Sequence, residues 1–293
     1  MIIYSFIIPH HNSPKLLNRC LDSIPQREDI EIIVADDNSD DDKKPCISRP
    51  DAKIIYIDAE HTKGAGRARN YALKKAVGKW IVFADADDFF VEGFMDVLDG
   101  YRDSSYDVVY HNAQAAHTDT MKSMPLLLSK QNRLFQEFDG SKQAIDSIKF
   151  RLHSPWWKMV SNAFITRYSI QFEEVPKGND IFFSYQVGFY ARTVAVEKQK
   201  LYTYTFNPQG ITNGKKNSYI YLSSLEQRMK IDGFYRFIGY PEWISIKWKF
   251  WPKVIKKSGL VFFIKTFVMF LIRYKGMRSR RMQYVENIQK RFF

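Results

Sequence analysis

The chain has 293 residues, of which 45% are hydrophobic and 16% aromatic, and its formal net charge is +12. This content supplies a core for one large α/β domain with an appendage, and it excludes an intrinsically disordered protein. The two cysteines, Cys20 and Cys46, allow at most one disulfide, which argues against a secreted disulfide scaffold and favours a reducing cytoplasm.

The positive charge is concentrated near the carboxyl terminus. From Trp243 to Phe293 there are thirteen lysines and arginines and a single acidic residue, Glu286, so the preceding residues are formally neutral. We therefore expect the body and the tail to have different partners. The first twelve residues, MIIYSFIIPHHN, lack a basic region and a small-residue cleavage site, which favours a strand over a signal peptide.

Strands and helices alternate in the first hundred residues. Ser13 followed by Pro14 gives an N-cap and a proline at the first helical position, which is a typical helix start. This alternation indicates an α/β fold with a Rossmann-like, mostly parallel sheet flanked by helices. The predicted strands are 4–9, 30–36, 53–58 and 80–84, and the predicted helices are 15–24 and 66–76.

The pattern is less regular after residue 100. Gly178 and the two residues that follow it predict the start of a helix that runs to about Ala191. A polar loop at 207–217 precedes a helix and the basic tail. The other predicted elements are a strand at 108–111, a helix at 141–150 and a strand at 193–206.

Acidic clusters follow two of the predicted strands, Asp-Asp-Asn-Ser at 36–39 and Asp-Ala-Asp-Asp at 85–88. Ligands of open α/β sheets bind at the carboxyl ends of strands, so we expect adjacent strands to bring both clusters to one crevice. Carboxylates this close repel one another unless a cation offsets their charge. Carboxylate oxygens suit Mg²⁺ or Mn²⁺, which leave positions open for a diphosphate. The alternative is a solvated acidic turn.

A glycine-containing segment, KGAGRARN at 63–70, lies between these clusters. Glycines before a helix start, together with two arginines, predict an anion site. The dinucleotide-binding pattern is not completed, because Arg69 stands where its third glycine belongs. The alternative is an ordinary helical turn with exposed arginines.

Four segments, in this order and spacing, resemble motifs of the family-2 glycosyltransferases of the bacterial surface-polysaccharide or lipooligosaccharide type. The segment at 5–12, SFIIPHHN, resembles the family's first strand, and 36–39 resembles its D-D-G-S stretch. The segment at 64–70 resembles G-x-x-x-A-R-N, and 85–88 resembles its D-x-D-D element. Weaker similarities continue at 155–158 (PWWK), at 172–180 and from Tyr204 to Thr212.

The resemblance implies a GT-A fold and three regions. The catalytic domain would be 1–213, with a nucleotide-sugar-binding half at 1–100 and an acceptor-binding half at 101–213. The remaining residues, 214–293, would form a helical, basic extension. It also implies an inverting transfer of a sugar from a nucleotide diphosphate-sugar, expected to be a UDP-sugar, with Mn²⁺ or Mg²⁺ as cofactor.

The resemblance assigns roles by position. The predicted nucleobase contacts are Pro9, His11 and Asp37, and Asp85 with Ala86 would hold the ribose or the sugar. Other donor contacts would come from Thr62, Lys63, Gly64 and Arg69, and Asp87 would bind the metal.

Some positions depart from the family pattern. His11 replaces a usual tyrosine, and Thr62 stands where asparagine is common. Asn179 replaces the usual glutamate beside Asp180, and Gly210 replaces a serine. These departures remove no indispensable chemical group, although the last two blur the downstream alignment.

An inverting transfer needs a base for the proton of the acceptor hydroxyl. Asp180 is the predicted base, at a helix start whose dipole favours the ionised carboxylate. The alternative is that Asp180 only caps the helix. Trp156 and Trp157 are predicted to form an aromatic wall for acceptor sugars, with core packing as the alternative.

The tail predicts attachment to a membrane surface. Residues 260–272 are thirteen mostly apolar positions interrupted by Lys265, whereas a spanning helix needs about 20. We expect an interfacial helix with Trp243, Trp248 and Trp251 at headgroup level, attracted to anionic lipid by about 1 kcal/mol per cation. The alternative is a helix packed on the catalytic domain. Such an apolar stretch suits nucleic acid poorly.

The leading hypothesis is a cytoplasmic enzyme, peripheral on the inner face of the cell membrane, that adds a sugar to a glycan or lipid-linked acceptor. A sugar-nucleotide pyrophosphorylase is one alternative, but residues 9–12 lack the glycine-rich loop expected after its first strand. Another is a non-enzymatic membrane or scaffold protein on an inactive GT-A fold.

Overall fold

The structure is a computed structural model. It describes residues 1–47, 49–58, 64–175, 177–208, 218–246, 251–252, 259–260, 263–264, 267–268 and 271, with the backbone alone at 218–226. Contacts divide the chain into two units, Met1–Gly214 and Lys215–Phe293.

The first unit is built on one mixed sheet, which has eight strands among the described residues. The strands are β1 (Tyr4–His10), β2 (Ile30–Asp36), β3 (Ala52–Tyr56), β4 (Trp80–Phe83), β5 (Phe89–Phe90), β6 (Val108–His117), β7 (Lys158–Ser161) and β8 (Val194–Phe206). Their spatial order is β3-β2-β1-β4-β7-β6-β8-β5. The helices are α1 (Pro14–Asp22), α2 (Ala65–Leu73), α3 (Phe94–Asp99), α4 (Ser129–Gln136), α5 (Lys142–Arg151), α6 (Asn162–Arg167) and α7 (Asn179–Tyr190).

The central strand is β1, which pairs in parallel with β2 on one side and β4 on the other. All of its residues are buried, and such fully buried strands occupy the middle of α/β sheets. The prediction that adjacent strands carry the two acidic clusters is therefore wrong, since β1 separates them. Because all three strands are parallel, both clusters still follow strand ends at the same edge of the sheet.

The second part of the sheet mixes directions. The short β7 pairs antiparallel with both β4 and β6, and β6 pairs in parallel with β8. Strand β6 continues to His117, past its predicted end at residue 111, because residues 113–117 pair with 202–206 after a shift of register. The unpredicted elements β5, β7, α3, α4 and α6 are two to eight residues long, too short to show a clear period.

An aromatic cluster fixes α7 against the sheet. Phe172 and Phe183 stack with their ring centroids 3.9 Å apart, and each lies 5.3 Å from Phe83 at the end of β4. All three rings are buried, and burying a phenylalanine stabilises a fold by about 1.5–3 kcal/mol. The start of α7 is thereby held near the carboxyl edge of the sheet.

The second unit contains α8 (Ser218–Phe237) and a short 3₁₀ helix at Pro241–Trp243. The buried Asp232 accepts hydrogen bonds from the backbone N–H groups of Ser245 and Ile246, each at 2.8 Å. Within the described ranges, no helix has both the length and the apolar character needed to cross a membrane.

Candidate active site

The first acidic cluster is held by the start of α2. The Arg67 guanidinium donates to Asp37 Oδ1 at 2.8 Å, and the Gly64 backbone N–H donates to Asp37 Oδ2 at 2.5 Å. Both charged side chains are buried, so the ion pair is shielded from water. Gly64 has φ of +147°, a conformation that favours glycine at this turn.

The second acidic cluster is held by the same helix, two residues further on. The Arg69 guanidinium donates to Asp85 Oδ1 at 2.5 Å and to Asn179 Oδ1 at 2.9 Å, and it lies 5.3 Å from the Phe172 ring centroid. Arg69 therefore joins the loop after β4 to the first residue of α7. The exposed arginines of the alternative interpretation are not observed, because Arg67 and Arg69 are both buried.

Glycine is required where α2 meets the segment before α7. A Cβ atom added at Gly66 would lie 2.2 Å from the Glu173 carbonyl oxygen and 2.8 Å from Asn179 Cβ. Asn70 completes the junction, because its amide donates to the Phe172 carbonyl at 3.0 Å and accepts from the Phe172 N–H at 2.9 Å. Residues 66–70 thus dock α2 against the chain that leads to Asp180.

The three aspartates at 85–88 have different environments. Asp88 is buried, and it accepts from the Tyr202 hydroxyl at 2.9 Å and from the Thr205 N–H at 2.6 Å. Burial and the neighbouring carboxylates raise the pKa of Asp88 well above its usual range. Burial and Asp85 also raise the pKa of Asp87 to about 6. The predicted repulsion among the three carboxylates is therefore present. Both oxygens of Asp88 accept hydrogen bonds that hold the loop in place.

Asp87 fits the role of a metal ligand. Within the described part of the chain, no other residue donates a hydrogen bond to its carboxylate, whereas Asp85 and Asp88 both have partners. No group of three histidine, cysteine or acidic side chains that could hold an ion occurs among the described residues. Mg²⁺ sites commonly use one or two carboxylates and complete the shell with phosphate oxygens and water.

Asp180 lies in the first turn of α7, as predicted. Gly178 occupies the N-cap position, and the Asp180 carboxylate is hydrogen-bonded to its own backbone N–H, one of the N–H groups at the helix start, as the capping alternative predicts. Burial raises the pKa of Asp180, although Arg69 and Lys158 oppose the shift. Desolvation thus outweighs the helix-dipole effect expected from the sequence, and the higher pKa makes the ionised carboxylate a stronger base.

Lys158 is a buried cation with no role predicted from the sequence. Its Nζ donates to the carbonyls of Leu152 and Ser154 and to Ser184 Oγ, at 2.8–3.1 Å. Burial lowers the pKa of Lys158 to about 7. The lysine ties the loop after α5 to the second turn of α7. A signal was present, since it is the single cation in the apolar run 155–160.

The predicted nucleobase residues meet where β1 and β2 end. Pro9 is buried in β1, while His11 is exposed with its Nδ1 3.0 Å from the Asp37 carbonyl oxygen. His10 was not predicted as a site residue, but it is buried with its Nδ1 2.7 Å from Asp36 Oδ1. The Ser13 N–H donates to His10 Nε2, so this histidine anchors the loop before α1.

The predicted acceptor wall is not exposed. Trp156 and Trp157 are only 4% and 2% exposed, and Trp156 stacks on Tyr202 with centroids 4.9 Å apart. Core packing, the alternative interpretation, describes both side chains in this structure.

Of the remaining predicted site residues, Ala86 is also buried. Thr62, Lys63 and the 209–217 segment with Gly210 lie outside the described residues.

A family model and several known proteins match the part of the chain that carries these motifs. A family model described as Glycosyl transferase family 2 matches residues 5–158, just over half of the chain. A putative glycosyltransferase, EpsH of Bacillus subtilis, is 28% identical over 71% of this chain and 62% of its own length. The GalNAc(5)-diNAcBac-PP-undecaprenol beta-1,3-glucosyltransferase of Campylobacter jejuni is 30% identical over 49% of this chain and 44% of its own.

A third relative is the UDP-Glc:alpha-D-GlcNAc-diphosphoundecaprenol beta-1,3-glucosyltransferase WfaP of Escherichia coli. It is 39% identical over 31% of this chain and 38% of its own length. The chain thus spans about half the length of the curated relatives it matches.

Among solved structures, S. aureus TarS 1–349 in complex with UDP-GlcNAc is similar in fold, with a TM-score of 0.60 and 20% identity. That match covers 90% of this chain and 81% of the other. A longer TarS structure gives a TM-score of 0.56 over 90% of this chain and 49% of the other.

Proposed function

The chain belongs to glycosyl transferase family 2 and has the GT-A fold, and on that premise we propose that it transfers a sugar from a nucleotide diphosphate-sugar to a hydroxyl group of a glycan or lipid-linked glycan. One observation carries the proposal. Arg67 and Arg69, two residues apart on α2, tie both acidic clusters and the start of α7 into one site. Helix α2 therefore lies close to all three carboxylates, those of Asp37, Asp85 and Asp180.

The proposed donor is a UDP-sugar. Supporting this choice, a TarS structure was solved with UDP-GlcNAc and another with UDP, and the E. coli relative is named for a UDP-Glc donor. Asp37 would accept from a uracil N–H, with Pro9 and His11 beside the base. The proposed acceptor class also follows relatives, since two of them are named for undecaprenol-diphosphate substrates.

The proposed reaction is one displacement at the anomeric carbon. Asp180 takes the proton from the acceptor hydroxyl as that oxygen bonds to the anomeric carbon. The bond to the diphosphate breaks on the opposite face, its electron pair leaves with UDP, and the configuration inverts. Mn²⁺ or Mg²⁺ bound at Asp87 would supply electrostatic stabilisation of the departing diphosphate. The Arg69 guanidinium pairs with Asp85, and its positive charge also favours the ionised carboxylate of Asp180.

An acceptor-free assay tests this proposal. We expect the protein, incubated with Mn²⁺ and a panel of UDP-sugars, to release UDP slowly from its own donor by transfer to water. Formation of UTP when pyrophosphate is added would instead identify a pyrophosphorylase. A scaffold on an inactive fold would give neither product, and calorimetric titration with UDP and Mn²⁺ would show no binding heat.

We also propose that the tail attaches the enzyme to the anionic inner face of the cell membrane. The residues at 260, 263–264, 267–268 and 271 are helical. Spacings of four, four and three residues place a set of exposed apolar side chains on one helix face. These are Leu260 (60% exposed), Ile264 (50%), Val268 (46%) and Leu271 (40%). The thirteen cations between Trp243 and Phe293 give this tail the charge that anionic lipid attracts.

One tryptophan of the tail lies in a different place from the predicted one. Trp251 is buried and packs edge-to-face on Phe267 with centroids 4.9 Å apart, so its predicted headgroup position is wrong. Trp243 is half-buried and stacks on Tyr240 at 4.0 Å. Trp248 lies outside the described residues. The apolar contact with lipid is therefore assigned to the exposed aliphatic face.

Replacing two residues of that face should weaken membrane binding. For Leu260→Ser/Ile264→Ser, we expect partitioning to phosphatidylglycerol-containing vesicles to fall roughly 30- to 150-fold, since about 2–3 kcal/mol of apolar burial is lost. Co-sedimentation measures the effect. Val77→Ser/Leu126→Ser is the matched control, because both residues are exposed aliphatics of the first unit. Equal loss in both variants would contradict a role specific to the tail.

A further inference from the structure

The loop at 85–88, here called the acidic loop, is held in place by hydrogen bonds with β8. The Tyr202 hydroxyl makes two hydrogen bonds to it, accepting from the Asp85 N–H at 2.9 Å and donating to Asp88 Oδ2 at 2.9 Å. One hydroxyl thus joins the first and last residues of the loop, and Asp87 lies between them. The two sides of this contact are more than a hundred residues apart in sequence.

Two aromatic side chains hold the ring of Tyr202 in place. It is fully buried, stacks on Trp156 with an interplanar angle of 13°, and meets Phe90 edge-to-face at 5.2 Å. Packing of this kind leaves the hydroxyl little freedom of position. Burial and the charges of Asp88 and Asp85 raise the pKa of Tyr202, which keeps the hydroxyl protonated as a donor.

Other contacts hold the main chain of the same loop. The Asp87 carbonyl accepts from Thr205 Oγ1 and from Arg19 Nη2, each at 2.5 Å. Asp88 accepts its second hydrogen bond from the Thr205 N–H. Among the described residues, the hydrogen bonds that β8 and α1 make to the acidic loop therefore go to Asp85, Asp88 or the backbone of Asp87, and none goes to the Asp87 carboxylate.

We propose that Tyr202 is a positioning residue for the transfer reaction, holding the acidic loop so that the Asp87 carboxylate is presented to the cation and diphosphate of the donor. This inference rests on the proposed function. Tyr202 touches neither donor nor acceptor in the proposal and acts through Asp85 and Asp88. Trp156 acquires a role in the same assembly, because its indole supports the tyrosine ring rather than a sugar.

The direct test is Tyr202→Phe, which keeps the ring and removes the hydroxyl. Tyr110→Phe is a matched control, since Tyr110 is also fully buried on a neighbouring strand and its hydroxyl has no hydrogen-bond partner among the described residues. Loss of a contact that orients a metal ligand from outside the coordination sphere commonly costs about 10- to 100-fold in metal affinity or activity. We expect losses in that range for Mn²⁺-dependent UDP binding and donor hydrolysis by Tyr202→Phe alone.

Two readouts separate positioning from a purely structural role. UDP binding measured without Mn²⁺ should be unchanged in Tyr202→Phe, and raising the Mn²⁺ concentration should restore much of the hydrolysis rate. If Tyr202→Phe lowers the melting temperature but keeps its Mn²⁺-dependent affinity and rate within about two-fold of wild type, the proposal is overturned.

Thr205→Val supplies a second variant should Tyr202→Phe fail to fold. It removes the hydroxyl that donates to the Asp87 carbonyl, and Thr203→Val on the same strand is its control. We expect only Thr205→Val to weaken Mn²⁺-dependent binding; equal behaviour of the two variants would count against the inference. Wild-type protein that shows no Mn²⁺-dependent UDP binding or hydrolysis would overturn the proposed function, and the role of Tyr202 with it.

Discussion

Asp180→Asn is expected to lower donor hydrolysis and sugar transfer by about 10²- to 10⁴-fold, the usual contribution of a general base. The amide is nearly isosteric but cannot accept the acceptor's proton. UDP binding should persist, because the proposed role of Asp180 is to take the proton of the acceptor hydroxyl and not to bind UDP. Initial rates with the UDP-sugar identified in the acceptor-free assay, together with calorimetric UDP titration, measure both effects.

The pH dependence of the rate gives an independent check. The base must be ionised, so the wild-type rate should fall as the pH drops through the pKa of Asp180. Burial raises that pKa, so the fall in rate at acid pH, the acidic limb of the profile, should occur at a higher pH than for an exposed aspartate. Asp180→Asn should lose the part of this limb that comes from Asp180, whereas protonation of Asp87 should still lower the residual rate at acid pH. Asp96→Asn, an exposed first-turn aspartate of α3, is the control. A variant that keeps both rate and limb would assign the base elsewhere.

Asp87→Ala is expected to abolish the enhancement of UDP affinity by Mn²⁺ and to slow donor hydrolysis about 10³-fold. Metal stabilisation of a leaving group contributes several kcal/mol, and each 1.36 kcal/mol is a tenfold change in rate. The fold should remain intact, since the substitution removes a carboxylate that Asp85 repels. Calorimetry with and without Mn²⁺ measures the affinity, and thermal unfolding monitors the fold.

Asp103→Ala is a suitable control for that variant. Asp103 is exposed near the amino end of β6, at the opposite edge of the sheet from the acidic loop. It should retain Mn²⁺-dependent binding. Unchanged UDP affinity of Asp87→Ala in Mn²⁺ would show that the cation is held by other groups.

The parallel core could be predicted from the sequence. Strands β1, β2 and β4 are buried along their whole length, so they appear as mostly apolar segments whose ends lie within a residue of the predicted positions. The start of α7 was also predictable, because Gly178 precedes it with φ of +74°. Strand order was not, since nothing in a run of apolar residues states which strand it pairs with.

The site was predictable in its residue types but not in its pairings. Asp37, Arg69 and Asp85 were all identified, whereas the Arg67–Asp37 ion pair depends on how α2 sits across the sheet. Tyr202 could not be found because alternating aromatic residues in β8 equally suit a plain core strand. The tryptophans were ambiguous for a similar reason, since aromatic rings serve both cores and sugar sites.

The continuity of the sheet has a consequence for protein engineering. Strands β4 and β5, from the first hundred residues, pair with β7 and β8, and Gly66 admits the chain before α7 to near contact with α2. The predicted donor and acceptor halves are therefore not interchangeable cassettes. A chimera joined near residue 100 would have to rebuild both strand pairings and the fit at Gly66.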